Sequence, residues 1–134
     1  MVNGQGEILV LLIEDSQLIQ TDMKELLYPT AQVIAALTPD EARQRFQENS
    51  KNLDLIVVDG ELKVTPTKTE ETCPLIRWIR GQGYTGLMVA SSAIPSLRQQ
   101  QVKAGCDLEL EKYGLPYFVE RQFCVPITAD PLHC

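Results

Sequence analysis

Groups capable of phosphoryl chemistry stand at the ends of several strand-like segments. Glu14-Asp15-Ser16 follows Ile8 to Ile13, Asp59 follows Leu55 to Val58, Ser91-Ser92 follows Leu87 to Ala90, and Lys112 follows Leu108 to Glu111. Carboxylates crowded at one edge repel each other unless a cation intervenes, and oxygen ligands with room for water suit Mg²⁺ better than a soft metal. A carboxylate oxygen of Asp59, held in line with a phosphoryl donor, can act as nucleophile and form an acyl phosphate. Lys112 can pair with Asp59 or with the transferred group, and a serine hydroxyl can donate to a phosphoryl oxygen. Taken singly, each residue also fits an ordinary cap or turn. Their recurrence at every informative strand end is what points to shared chemistry.

The segments between these residues must bring them together. Ile8 to Ile13 and Leu55 to Val58 are continuous aliphatic runs, the pattern of strands buried on both faces of a parallel sheet. Ile19, Met23, Leu26 and Leu27 recur at i, i+4, i+7 and i+8, which predicts a helix that stops before Pro29. Ala31 to Ala36 reads as a strand, and Thr38-Pro39-Asp40-Glu41 as a helix start with a capping box, Ala42 and Phe46 facing its core side. Gly60 to Thr72 carries mixed charge without periodicity and is expected to be a long loop. A helix with Leu75, Ile76 and Ile79 follows, closed by Gly81-Gln82-Gly83. Trp78 on that helix reads as part-buried packing. Leu87 to Ala90 is the next strand, Pro95 to Ala104 a helix closed by Gly105, Leu108 to Glu111 a fifth strand, and Leu115 to Phe123 a short last helix. Strands and helices in alternation predict a three-layer α/β fold with right-handed crossovers, whose functional groups gather at the C-terminal ends of the strands.

Composition narrows the partners. The 134 residues are 44% hydrophobic and 22% charged, enough apolar material for one buried core. We expect a single domain over 1–134, with its core at about 8–123 and an irregular tail at 124–134. Twelve Lys and Arg against 18 Asp and Glu leave a net charge of −6, a field that repels nucleic-acid backbones and anionic membranes. The longest strongly apolar run, Ile8 to Ile13, is too short to cross a bilayer, and residues 1–7 lack a basic leader, so a cytoplasmic location is expected. Cys73, Cys106, Cys124 and Cys134 form no CxxC pair and His133 stands alone, so reduced structural thiols are expected and neither zinc nor a disulfide framework.

With Ile8 to Ser16, Asp54 to Asp59 and Lys112 in view, the chain resembles the receiver domain of bacterial two-component response regulators from about Ile8 to Phe123. The resemblance implies a flavodoxin-like (βα)5 sandwich with a parallel five-stranded sheet of order 2-1-3-4-5. It makes Asp59 the phosphoacceptor, Glu14 and Asp15 the acidic pair that organises Mg²⁺, Lys112 the phosphoryl-contacting lysine, and the backbone carbonyl of Glu61 a further metal ligand. The implied partners are a histidine kinase or phosphotransfer protein upstream and a protein target downstream, for a monomer or weak homodimer that binds neither nucleic acid nor membrane. The helix from Pro95 to Ala104 with the fifth strand is the implied output surface.

Several positions depart from the family pattern. Ala90 occupies the place of the switch hydroxyl, with Ser91 one residue later as the expected substitute, and Glu109 occupies the place of the switch aromatic. Tyr113, not proline, follows Lys112, and Pro116 comes late. The segment after Asp59 is longer than usual and lacks the common early proline. Three readings follow from the residues: a phosphoryl-accepting receiver, a pseudo-receiver acting only as an interaction module, and a small Mg²⁺-dependent phosphate-handling enzyme.

Overall fold

The computed structural model describes residues 8–123; Cys124, His133, Cys134 and the expected irregular tail lie outside them. The elements in chain order are β1 (Ile8–Ile13), α1 (Gln17–Leu27), β2 (Ala31–Ala36), α2 (Pro39–Asn49), β3 (Leu55–Val58), β4 (Glu61–Thr65), β5 (Lys68–Glu71), α3 (Cys73–Gly81), β6 (Leu87–Ala90), α4 (Pro95–Ala104), β7 (Leu108–Glu109) and α5 (Leu115–Phe123). A single 3₁₀ turn, Lys112–Gly114, leads into α5.

The main sheet has the order β2-β1-β3-β6-β7, and all its pairings are parallel. This is the expected 2-1-3-4-5 arrangement once β4 and β5, which pair only with each other, are set aside. Alternation along β1 sends Leu9, Leu11 and Ile13 to one core and Ile8, Val10 and Leu12 to the other. The first core meets Phe46 of α2 and Leu75, Ile76 and Ile79 of α3; the second meets Met23 and Leu27 of α1 and Leu115 and Val119 of α5. Each fully buried Leu or Ile contributes on the order of 2 kcal/mol through lost water contact.

Local signals fix the helix starts. Ser16 Oγ accepts from the Ile19 amide and Thr38 Oγ1 from the Glu41 amide, while Glu41 Oε1 accepts from the Leu37 amide, one residue before the cap. Trp78 is half-buried, edge-on to Phe46 with ring centroids 5.8 Å apart, as its place on α3 predicts. No helix among the described residues is long and apolar enough to cross a membrane.

Two expectations require correction. The segment after Asp59 is not a loop but the antiparallel β4–β5 hairpin. Its anchor is Leu62, which has no exposed surface and joins the core with Ile76 and Val58, while the Thr72 amide closes the base by donating to Gly60 O at 3.0 Å. The fifth strand of the main sheet pairs only at Leu108 and Glu109, not as far as Glu111. Leu110 still donates to Ala90 O, after which the chain leaves the sheet and Lys112 opens the 3₁₀ turn.

Candidate phosphoacceptor site

Parallel pairing of β1 with β3 sets Ile13 beside Val58, so the residues that follow, Glu14 and Asp59, emerge at the same sheet edge. The Asp59 amide donates to Ile13 O at 2.9 Å and extends that register by one residue. Glu14, Asp15 and Asp59 consequently offer ligand oxygens that all lie within 4.8 Å of one another. Lys112 arrives from the far side of the sheet. Its ammonium contacts Glu14 Oε1 and lies 3.1 Å from Asp59 Oδ1.

Glu14 is buried, and both of its oxygens are engaged, Oε1 by Lys112 and Oε2 by the Ser16 amide. Burial pushes its carboxyl up from the ordinary range and the charge of Asp59 adds to the rise, against the opposing pull of Lys112 and the Ser16 amide. Burial would lower Lys112, but its bond to Glu14 and the two carboxylate charges outweigh it, so its pKa is raised and the ammonium persists. Asp59 Oδ1 also accepts from the Gly60 amide at 2.7 Å. Asp15 Oδ2 accepts from the Lys63 amide at 2.8 Å. Among the described residues, Asp15 Oδ1 and Asp59 Oδ2 accept no hydrogen bond. Two oxygens without protein partners, in a cluster of hard donors, fit a magnesium-type cation.

These groups border a groove of about 250 Å³. Asp15, Asp59 and Lys112 line it together with the hairpin residues Glu61, Lys63 and Thr69. Ser92 also lines it, its Oγ accepting from the Ile94 amide at 3.1 Å. Ser91, the hydroxyl expected from the sequence, is as buried as Ser92 but does not line the groove, and its amide donates to Val58 O. Ser92 packs so tightly on Gly60 that a Cβ there would stand 2.6 Å from Ser92 Oγ.

Buried polar residues that sequence reasoning missed hold this edge from behind. Gln101 Nε2 of α4 donates to Val58 O at 2.8 Å, to Asp59 O at 3.0 Å and to Thr72 Oγ1 at 3.2 Å. Thr72 Oγ1 in turn donates towards Asp59 O. Gln20 Nε2 of α1 likewise donates to Leu12 O and Glu14 O. The only sequence signal was for Gln20, which shares the helical face of Met23 and Leu27 at i+3 and i+7.

At the β7 edge, Arg98 of α4 donates through Nε to Glu109 Oε1 at 2.9 Å and through a terminal nitrogen to Ser92 O at 2.8 Å. Tyr113, exposed beside the Lys112 turn, donates to Asp22 Oδ2 of α1 at 2.6 Å.

Neither a protein-family model nor a curated protein matches the sequence. Solved structures do match. A response regulator receiver domain from Clostridium thermocellum superposes with a TM-score of 0.70 at 18% identity, covering 84% of this chain and 91% of that one. A chain of the co-crystal of the Saccharomyces cerevisiae phosphotransfer protein Ypd1 with the receiver domain of Ssk1 gives 0.69 at 21%, covering 93% and 94%. A two-component response regulator of the LuxR family from Aurantimonas gives 0.69 at 18%, covering 88% and 84%. The protein therefore has the receiver fold of response regulators.

Proposed function

We propose that this protein is a receiver in a phosphorelay, accepting a phosphoryl group on Asp59 in a Mg²⁺-dependent reaction and signalling through protein contact from the cytoplasm. The observation that carries the reading is the meeting of Lys112 with Asp59 at 3.1 Å, beside Glu14 and Asp15. In the transfer an Asp59 oxygen bonds to phosphorus as the donor's phosphorus–nitrogen bond breaks, and the imidazole leaves with the electron pair and takes up a proton. Asp15, Asp59 and the Glu61 carbonyl would hold the cation, which when bound offsets negative charge on the phosphoryl oxygens. Lys112 supplies a fixed positive charge to the same oxygens. A serine hydroxyl can donate to them as well, and the place of Ser92 in the groove favours it over Ser91. The structural likeness to a receiver domain crystallised with a histidine phosphotransfer protein supports a phosphohistidine protein as donor.

Incubation with Mg²⁺ and acetyl phosphate, followed by intact-mass measurement, should give a labile gain of one phosphoryl group that is absent in Asp59→Asn. A folded protein that gains nothing would overturn the reading for small donors. Such a result would favour the pseudo-receiver alternative, which Ala90 and the Arg98–Glu109 pair at the switch positions also favour.

A further inference from the structure

The β4–β5 hairpin alternates between two environments. Leu62 points into the core, and Val64 and Glu70 border the surface of α2 near Arg43, whereas Glu61, Lys63 and Thr69 border the groove of Asp59. The base of the hairpin is tied beneath Asp59 by Thr72, whose amide donates to Gly60 O and whose hydroxyl donates to Asp59 O. Its middle is anchored by Leu62. A third tie reaches the site itself, the Lys63 amide donating to Asp15 Oδ2 at 2.8 Å across 48 residues of sequence. The Thr72 amide bonds Gly60 O, so alternation along the hairpin makes Lys63 and Thr69 a non-hydrogen-bonded pair and turns the Lys63 amide away from β5, towards Asp15.

We propose that the hairpin is a positioning element for the cation site: the Lys63 amide pins one oxygen of Asp15 and turns the other, Oδ1, towards the space shared with Asp59. The inference rests on the Mg²⁺ reading of the acidic cluster and adds to it a device outside that cluster. An aspartate with no partner samples several rotamers, and a charged acceptor held by one amide loses most of them before the ligand arrives. Coupling is reciprocal, so a bond that tightens cation binding is itself tightened by the cation.

The test separates the amide from the side chain. Lys63→Pro removes the N–H at an edge position where proline leaves the ladder intact, while Lys63→Ala keeps the N–H and removes the ammonium. Mg²⁺ affinity is measured by calorimetry on both variants, on the wild type and on Asp15→Asn. A hydrogen bond to a charged group predicts about tenfold weaker binding for Lys63→Pro. Lys63→Ala should bind as tightly as the wild type or slightly more so, since a nearby positive charge has gone. In the wild type, Mg²⁺ should slow hydrogen exchange at the Lys63 amide, and in Asp15→Asn it should not.

Wild-type affinity in Lys63→Pro, or equal losses in both Lys63 variants, would overturn the inference while leaving the receiver reading intact. Should Lys63→Pro fail to fold, unchanged exchange at residue 63 on adding Mg²⁺ to the wild type overturns it alone. Absence of Mg²⁺ binding by the wild type would overturn the metal reading, and the inference with it.

Discussion

The acidic cluster at Asp59 and the α4–β7 edge are built on different plans. Around Asp59 the chain gathers unlike charges in close contact: three carboxylates and one ammonium, with Glu14 and Lys112 both largely withdrawn from water. At the α4–β7 edge there is a single ion pair, Arg98 with Glu109, whose acid is 40% exposed. The first arrangement is costly to assemble unless each charge has its partner, so it is sensitive to the loss of any member. The second is a surface contact of modest worth, and it stands where receivers with this fold are expected to carry a switch aromatic. On the proposed function the contrast would separate chemistry from output: the acid cluster would take the phosphoryl group, whereas the β7 edge carries a charge-assisted latch in which Arg98 also donates to Ser92 O.

The sharpest way to break this comparison is Asp59→Asn, which should abolish the labile mass gain from acetyl phosphate altogether. Lys112→Ala comes next. It leaves Glu14 buried beside Asp59 without a cation and should cost about 3 kcal/mol in denaturant unfolding, with labelling slower by about a hundredfold. Gln101→Ala removes the donor shared by Val58 O, Asp59 O and Thr72, and a loss of about 2 kcal/mol is expected from the same unfolding measurement. Ser92→Ala should slow labelling several-fold by rapid-quench mass measurement, with Ser91→Ala closer to wild type; the reverse order would return the hydroxyl role to Ser91. The smallest effect belongs to the β7 edge. A double-mutant cycle on Arg98 and Glu109 should give a coupling of about 0.5 to 1 kcal/mol, with labelling rates within about twofold of wild type. If that cycle slowed labelling as much as Lys112→Ala, the separation of the two regions would fail.

The main sheet was legible because a strand buried on both faces has to be an unbroken aliphatic run, and the residue that ends such a run is conspicuous. Glu14, Asp15 and Asp59 were found in that way, whereas Lys112 came from the alternating run Leu108 to Glu111, of which only Leu108 and Glu109 pair in the sheet. The hairpin was not legible for the complementary reason. Lys68–Glu71 is exposed throughout and contains no apolar residue, and β4 contributes only Leu62 and Val64, so neither strand carries a periodic signal of its own. Its structure depends on tertiary ties, namely Leu62 in the core, Thr72 at the base and Asp15 at the side. The choice between Ser91 and Ser92 turns on how the chain bends after β6, which a one-residue shift in pattern cannot resolve. Gln20 and Gln101 escaped because glutamine is ordinarily a surface residue; their burial makes sense only once the carbonyls at the strand ends are seen to need donors.

The contact of Ser92 with Gly60 has a consequence for how this sequence can drift. With Ser92 Oγ 2.6 Å and its Cβ 2.7 Å from where a methyl group on residue 60 would sit, Gly60→Ala should be tolerated only together with glycine at 92, since alanine there would keep the Cβ. Positions 60 and 92 should therefore change as a pair among descendants of this chain, and a selection for folded variants from a library randomised at both should recover linked substitutions more often than single ones.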